Sequence, residues 1–181
     1  SDLDAMKRLV NEFRDYARLP AAQLEPVAIN ALITDVLQLY GEENAHVPIK
    51  AELDPQCGAI LADAQQLRQV LHNLMQNAQD AQEQIGRLDQ PVVVQTLWRP
   101  ASQRVRLSVL DNGAGFPEPI LQRALEPYVT TKAKGTGLGL AVVKKIADEH
   151  GATLTLANRE QGGEVIGAQV SLVFNALEAH S

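Results

Sequence analysis

Apolar residues at Leu3, Met6, Val10, Phe13 and Ala17 recur at alternating steps of three and four, the spacing of a coiled-coil or helix-bundle seam, or of a surface helix docking on its own domain. Pro20 disfavours helical geometry at Leu19 and ends that helix, and residues 20–26 read as a linker. Asn30 is placed to cap a second helix through Leu32, Ile33, Val36, Leu37 and Tyr40, with its exit at Gly41. Residues 47–53 and 59–62 read as strands. Asp63 then caps a long helix that turns Leu67, Val70, Leu71, Leu74, Met75 and Ala78 inward. Residues 92–98 and 105–110 read as strands joined through Pro100, Ala101 and Ser102, a hairpin. A short helix is expected around 120–125 and a mobile, glycine-punctuated loop over 126–136. A helix over 138–150 stopped by Gly151 follows, then strands near 153–157 and 167–174. Strands and helices interleaved in this order predict an α/β fold: a two-layer sandwich of a mixed β-sheet with helices on one face, preceded by an N-terminal helix.

Composition narrows the function classes. A hydrophobic fraction of 45% and a charged fraction of 21% are those of a folded globular domain, and 181 residues suffice for a core. A net charge of −6 and 4% aromatic residues argue against nucleic acid as a partner. The single cysteine, Cys57, excludes an internal disulfide and a sulfur-rich zinc site, and fits a reducing compartment. A chain that opens in mid-helix without an initiator methionine reads as a piece of something longer.

Three segments carry chemistry. Asn73 and Asn77 lie four apart on the long helix, so both amides emerge on one face beside the apolar stripe. They either bond to neighbouring backbone or offer hard oxygen to magnesium. Asp111 follows an apolar strand, and strand ends are where ligands bind in many α/β folds. Its carboxylate can accept from an amine, while Gly113 and Gly115 let the backbone approach a flat ligand and Phe116-Pro117 closes the turn. The same residues would also suit a plain strand-to-helix turn. Gly135-Thr136-Gly137-Leu138-Gly139 opens a helix, where free N–H groups and the helix dipole favour a phosphate, and Lys132 and Lys134 stand beside it. This is neither a Walker sequence nor a dinucleotide fingerprint.

Together the segments resemble the ATP-binding superfamily of gyrase, the ninety-kilodalton heat-shock chaperone, histidine kinases and MutL proteins. Residues 69–81 look like the N box of histidine kinases and residues 111–116 like the G1 box. Residues 125–132 look like the F box, and residues 135–140 like the G2 box. The run at 11–20 is similar to the end of the dimerisation hairpin in NtrY-type nitrogen-regulation sensors. The resemblance implies ATP and Mg2+ as cofactors. It implies Asn77 as the metal ligand and Asp111 as acceptor for the adenine amino group. Gly113, Gly115 and Phe116 would form the base pocket, and Gly135, Thr136, Gly137, Leu138 and Gly139 the phosphate site. The lid would run from Tyr128 to Lys134, contributing Thr131, Lys132 and Lys134. Asn73 and Lys132 would serve the phosphoryl transfer. Residues 1–19 would be the end of a dimerisation and phosphoacceptor hairpin, residues 20–26 a linker and residues 27–181 the catalytic domain. The implied partners are the phosphoacceptor helices, a response regulator and, in the full-length parent, a second copy. The implied place is the cytoplasmic side of an inner-membrane sensor kinase.

The chain departs from the family in carrying Asp80 where some members have a lysine, which shifts weight to Lys132 or Lys134. None of His46, His72, His150 and His180 sits in a phosphoacceptor setting, and all four read as structural or surface residues. Two other functions compete with phosphoryl transfer to histidine. One is a nucleotide-driven conformational switch without chemistry. The other is gyrase-like ATP hydrolysis, against which Asn73 argues because hydrolysis wants a glutamate there.

Overall fold

In chain order the elements are helix α1 (Asp2–Ala17), strand β1 (Glu25–Ala28), helix α2 (Ile29–Glu43), strands β2 (Ile49–Glu52) and β3 (Ala59–Ala62), and helix α3 (Ala64–Gln84). Strands β4 (Val92–Arg99) and β5 (Arg104–Leu110), helices α4 (Glu118–Arg123) and α5 (Gly139–Glu149), and strands β6 (Thr153–Gln161) and β7 (Glu164–Asn175) follow. The computed structural model describes residues 2–17, 19–43, 47–123 and 139–177. A five-stranded sheet runs β2-β4-β5-β7-β6, parallel between β2 and β4 and antiparallel elsewhere, so the sheet is mixed. β1 and β3 form a separate antiparallel pair, joined to the end of β7 by a bridge between Ile60 and Ala176.

Helices α2, α3 and α5 cover one face of the large sheet. The stripe Leu67, Val70, Leu71, Leu74, Met75 and Ala78 on α3 is buried as its spacing predicts, against Val94, Val105, Leu107 and Leu172 of the sheet and Val143 and Ile146 of α5 within one apolar cluster. Each of the larger side chains contributes about 1.5–3 kcal/mol by leaving water. Asp63 caps α3, its carboxylate accepting from the Gln66 N–H at 3.1 Å. Gly151, at φ +64°, ends α5 with paired bonds from Gly151 N–H to Asp148 C=O and from Ala152 N–H to Ala147 C=O.

Several expectations are corrected. Asn30 does not cap α2 but sits inside its first turn, where Nδ2 donates to the Asp54 carbonyl and Oδ1 accepts from the Thr96 hydroxyl. The demands of β4 and residue 54 win the amide. The helix runs past Gly41 to Glu43, and the side chain of Tyr40 lies outside the described residues. Strand β1 begins inside the stretch read as linker, and residues 20–23 are docked. The Pro20 carbonyl accepts from Gln66, Ala22 N–H donates to Glu149, and Gln23 N–H donates to Asp63. Strands β6 and β7 run further toward each other than expected, to Gln161 and from Glu164.

On α1, Leu3, Met6 and Val10 are 62, 63 and 52% exposed, so this part of the stripe faces away from the domain. The side chains of Phe13 and Ala17 lie outside the described residues. No helix among the described residues is long and apolar enough to cross a membrane.

Candidate functional site

The candidate site is assembled from the loop after β5, one face of α3 and the start of α5. β5 is buried from Leu107 through Val109, so Asp111 is delivered at a buried strand end and is only 8% exposed. Its N–H donates to the Ala168 carbonyl at 2.9 Å, extending the β5–β7 ladder by one rung. Its Oδ1 accepts from the N–H groups of Gly113 at 2.8 Å and Ala168 at 3.0 Å. Two backbone bonds on one oxygen fix the plane of the carboxylate. Burial pushes the Asp111 carboxyl pKa up; the N–H groups of Gly113 and Ala168 and the nearby Arg159 charge oppose this without reversing it.

The glycines of this loop are required by crowding. A Cβ on Gly113 would lie 2.9 Å from the Ala81 Cβ of α3. On Gly115, at φ +81°, it would lie 2.5 Å from Cγ1 of Val165. Phe116 is half-buried, and both its backbone groups are taken by the amide of Asn158, its N–H donating to Oδ1 and its C=O accepting from Nδ2, each at 2.7 Å.

Asn73 and Asn77 are half-buried on the side of α3 that meets the start of α5. Asn73 Nδ2 stands 3.5 Å from the Gly139 carbonyl, at the long limit of a hydrogen bond. A Cβ on Gly139 would lie 3.6 Å from Nδ2 and 3.8 Å from Oδ1 of Asn77. The fold therefore brings Asn73, Asn77 and Gly139 together. Ala81, one turn beyond Asn77, carries Gly113 and links this group to Asp111, Gly115 and Phe116. Thr131, Lys132, Lys134, Gly135, Thr136, Gly137 and Leu138, like Tyr128, lie outside the described residues.

Three supporting residues were missed by the sequence reading. Gly167 of β7 faces the loop so closely that any side chain there would overlap the Asp111 carbonyl oxygen. Asn158 holds Phe116, and Arg159 Nη1 donates to the Asp111 carbonyl at 2.5 Å and to Asn112 Oδ1 at 3.1 Å. Asn158 and Arg159 fall in the polar run between two expected strands, which reads as an ordinary turn, and Gly167 only opens the strand expected at 167–174. Among the histidines, His72 is exposed on α3. His150 is structural: Nε2 accepts from the Asp63 N–H at 3.0 Å, which places the ring proton on Nδ1, 2.8 Å from the Ile146 carbonyl. His46 and His180 lie outside the described residues.

A buried carboxylate at a strand end, glycines closing on it, and paired asparagines on a facing helix form the candidate ligand site of a mixed-sheet α/β domain. The family described as histidine kinase-, DNA gyrase B-, and HSP90-like ATPase matches residues 62–175, and the chain belongs to it. It is 35% identical over 167 residues to an NtrY-like sensor histidine kinase of Rickettsia bellii, covering 92% of this chain and 27% of that relative. It is 34% identical over 173 residues to nitrogen regulation protein NtrY of Azorhizobium caulinodans, covering 93% and 22%. The fold superimposes on full-length ShkA in its complex with AMPPNP with a TM-score of 0.76 at 29% identity, covering 97% of this chain and 37% of that one. Over 92% of its length the chain is thus similar to a relative named as a sensor histidine kinase. It spans about a quarter of the length of the curated relatives it matches.

Proposed function

We propose that the chain binds ATP with magnesium and transfers the γ-phosphoryl group to a histidine on dimerisation helices outside this sequence. The observation that carries the reading is Asp111, a buried carboxylate whose orientation is fixed by two backbone N–H groups and whose loop packs on the helix that bears Asn77. In this reading Asp111 accepts a hydrogen bond from the adenine amino group, and Gly113 and Gly115 leave room for the base. In the same reading the amides of Gly135, Gly137 and Gly139 hold the phosphates, with Lys132 or Lys134 as charge partner.

The donor set fits magnesium. An amide oxygen is a hard ligand, and this ion takes few protein ligands beside substrate phosphates and water. Asn77, whose amide lies near Gly139, would hold it, and the bound ion would neutralise charge on the phosphates. Asn73 lacks the basicity to activate water, which favours transfer to histidine over hydrolysis. In the transfer a histidine nitrogen forms the new P–N bond, the bond between the γ-phosphorus and the β,γ-bridging oxygen breaks, and ADP leaves. Residues 1–19 serve as the end of the dimerisation hairpin, and the docked segment from residue 20, which leads into β1 at Glu25, belongs with the catalytic domain of a homodimeric parent. The phosphoryl group then passes to a response regulator on the cytoplasmic side of the membrane.

Calorimetric titration with ATP, in magnesium and in EDTA, tests the site. Wild type should bind more tightly with magnesium, and Asn77→Ala should lose that gain while matching wild type in EDTA. An equal loss in both would remove Asn77 as the ligand. Transfer of label from ATP to a separately supplied dimerisation hairpin tests the chemistry.

A further inference from the structure

Gln82 is fully buried in the last turn of α3, outside all four boxes. Its Oε1 accepts from the Asn112 N–H at 2.9 Å and from Asn112 Nδ2 at 3.2 Å. Its Nε2 donates to the carbonyls of Arg87 at 3.0 Å and Gln90 at 2.6 Å. Two carbonyls can only accept and a backbone N–H can only donate, so the amide has one possible orientation, with both donors and both lone pairs engaged. Asn112 is gripped from the other sides as well: its carbonyl accepts from Arg87 Nη1 at 2.9 Å, its Nδ2 donates to Pro91, and its Oδ1 accepts from Arg159.

We infer that Gln82 is a positioning residue for adenine recognition, holding the Asp111–Asn112 peptide so that the Asp111 carboxylate faces the base. The inference rests on the nucleotide reading above. A side chain that merely filled space here would be apolar; one that left the Asn112 N–H without an acceptor would free the peptide to rotate. Arg159 Nη1, bonded to both the Asp111 carbonyl and Asn112, clamps the same peptide from the strand side, so Gln82 and Arg159 oppose each other across it.

Base selectivity separates positioning from simple support of the fold. ATP and inosine triphosphate share the phosphates and differ at the group Asp111 would read, an amino against an oxo. Their dissociation constants are measured with magnesium on wild type and on Gln82→Met, with folding checked by circular dichroism and thermal melting. Wild type should prefer ATP, and Gln82→Met should lose about tenfold of that preference through weaker ATP binding, with inosine triphosphate little changed. A folded Gln82→Met with the wild-type ratio, even if both nucleotides bind less well, overturns the inference. If that variant does not fold, Gln82→Asn, one methylene too short to span Asn112 and the two carbonyls, is held to the same outcome. A wild type that binds both nucleotides equally would instead refute the reading of Asp111 itself.

Discussion

Helix α3 works at both ends through polar contacts, but the two ends reach different things. At its C-terminal end Ala81 and Gln82 hold the loop of Asp111, Asn112 and Gly113. At its N-terminal end Asp63 and Gln66 hold residues 20–23 and the His150 ring, none of which belongs to the candidate site. A buried amide at one end therefore holds a loop of the candidate site, whereas a cap and a latch at the other join the segment after α1 to the domain. The number of hydrogen bonds does not mark a site; what they converge on does. Substitutions graded along this helix and its neighbours separate the two roles.

The largest effect is expected at Gly167→Ala. Its Cβ would collide with backbone, the carbonyl of Asp111, which cannot swing aside as a flexible side chain could. The strand or the loop must move, at a cost of about 3 kcal/mol, the upper range of overpacking. Urea denaturation should show that loss, and ATP binding should fall with it because Asp111 and Ala168 share two hydrogen bonds. Unchanged stability would mean the β7 approach does not build the loop.

Asp111→Asn comes next, and its two effects have opposite signs. Loss of a hydrogen bond to a charged acceptor should weaken ATP about ten- to a hundredfold. Stability should rise. The folded carboxyl titrates above its ordinary value of 3.8, so between that value and the raised one the native state binds more protons than the unfolded chain. Wild-type stability therefore falls as pH rises through this window, and the penalty persists at neutral pH. A neutral amide at this position would carry no such penalty while its oxygen still accepts from Gly113 and Ala168. Thermal melts at neutral and acidic pH check this: the variant should be the more stable at neutral pH, with the gap closing on acidification. ATP affinity of the wild type should also begin to fall at a higher pH than an exposed aspartate would give.

How legible these residues were follows from their surroundings. The α3 stripe and its Asp63 cap could be read because an amphipathic helix buried on one side imposes its period on the sequence. β1 could not, since only Val27 of its residues is buried and Pro26 interrupts it. The extensions of β6 and β7 over Asn158, Arg159 and Glu164–Ile166 are polar or half-exposed hairpin, with no apolar alternation to detect, and they hold the residues that support the G1 loop. Asp111, Asn73 and Asn77 stand out as candidates through their spacing and company. Gln82 left one usable trace: stepping from Leu71 through Met75 and Ala78 along the inward stripe lands on it, a polar residue where an apolar one is expected.

The smallest effect tests the other end of the helix. Asp63→Ala removes the N-cap bond to Gln66 and the bond from the Gln23 N–H, and should cost about 1 kcal/mol, the usual loss for a missing cap. Burial acts to raise the Asp63 carboxyl pKa, but the N–H groups of Gln23, Gln66 and Gln65 outweigh it and the net shift is downward. A depressed carboxyl contributes stability above its ordinary range and loses it as pH falls through the depressed value. The difference between wild type and Asp63→Ala in urea melts should accordingly shrink on acidification, opposite in sign to the Asp111 pair. ATP affinity should stay at the wild-type value, because the partners of Asp63 touch none of the loop residues. A matching fall in ATP affinity would show the two ends of α3 to be coupled, and would make the docked segment after α1 a part of the nucleotide site's control.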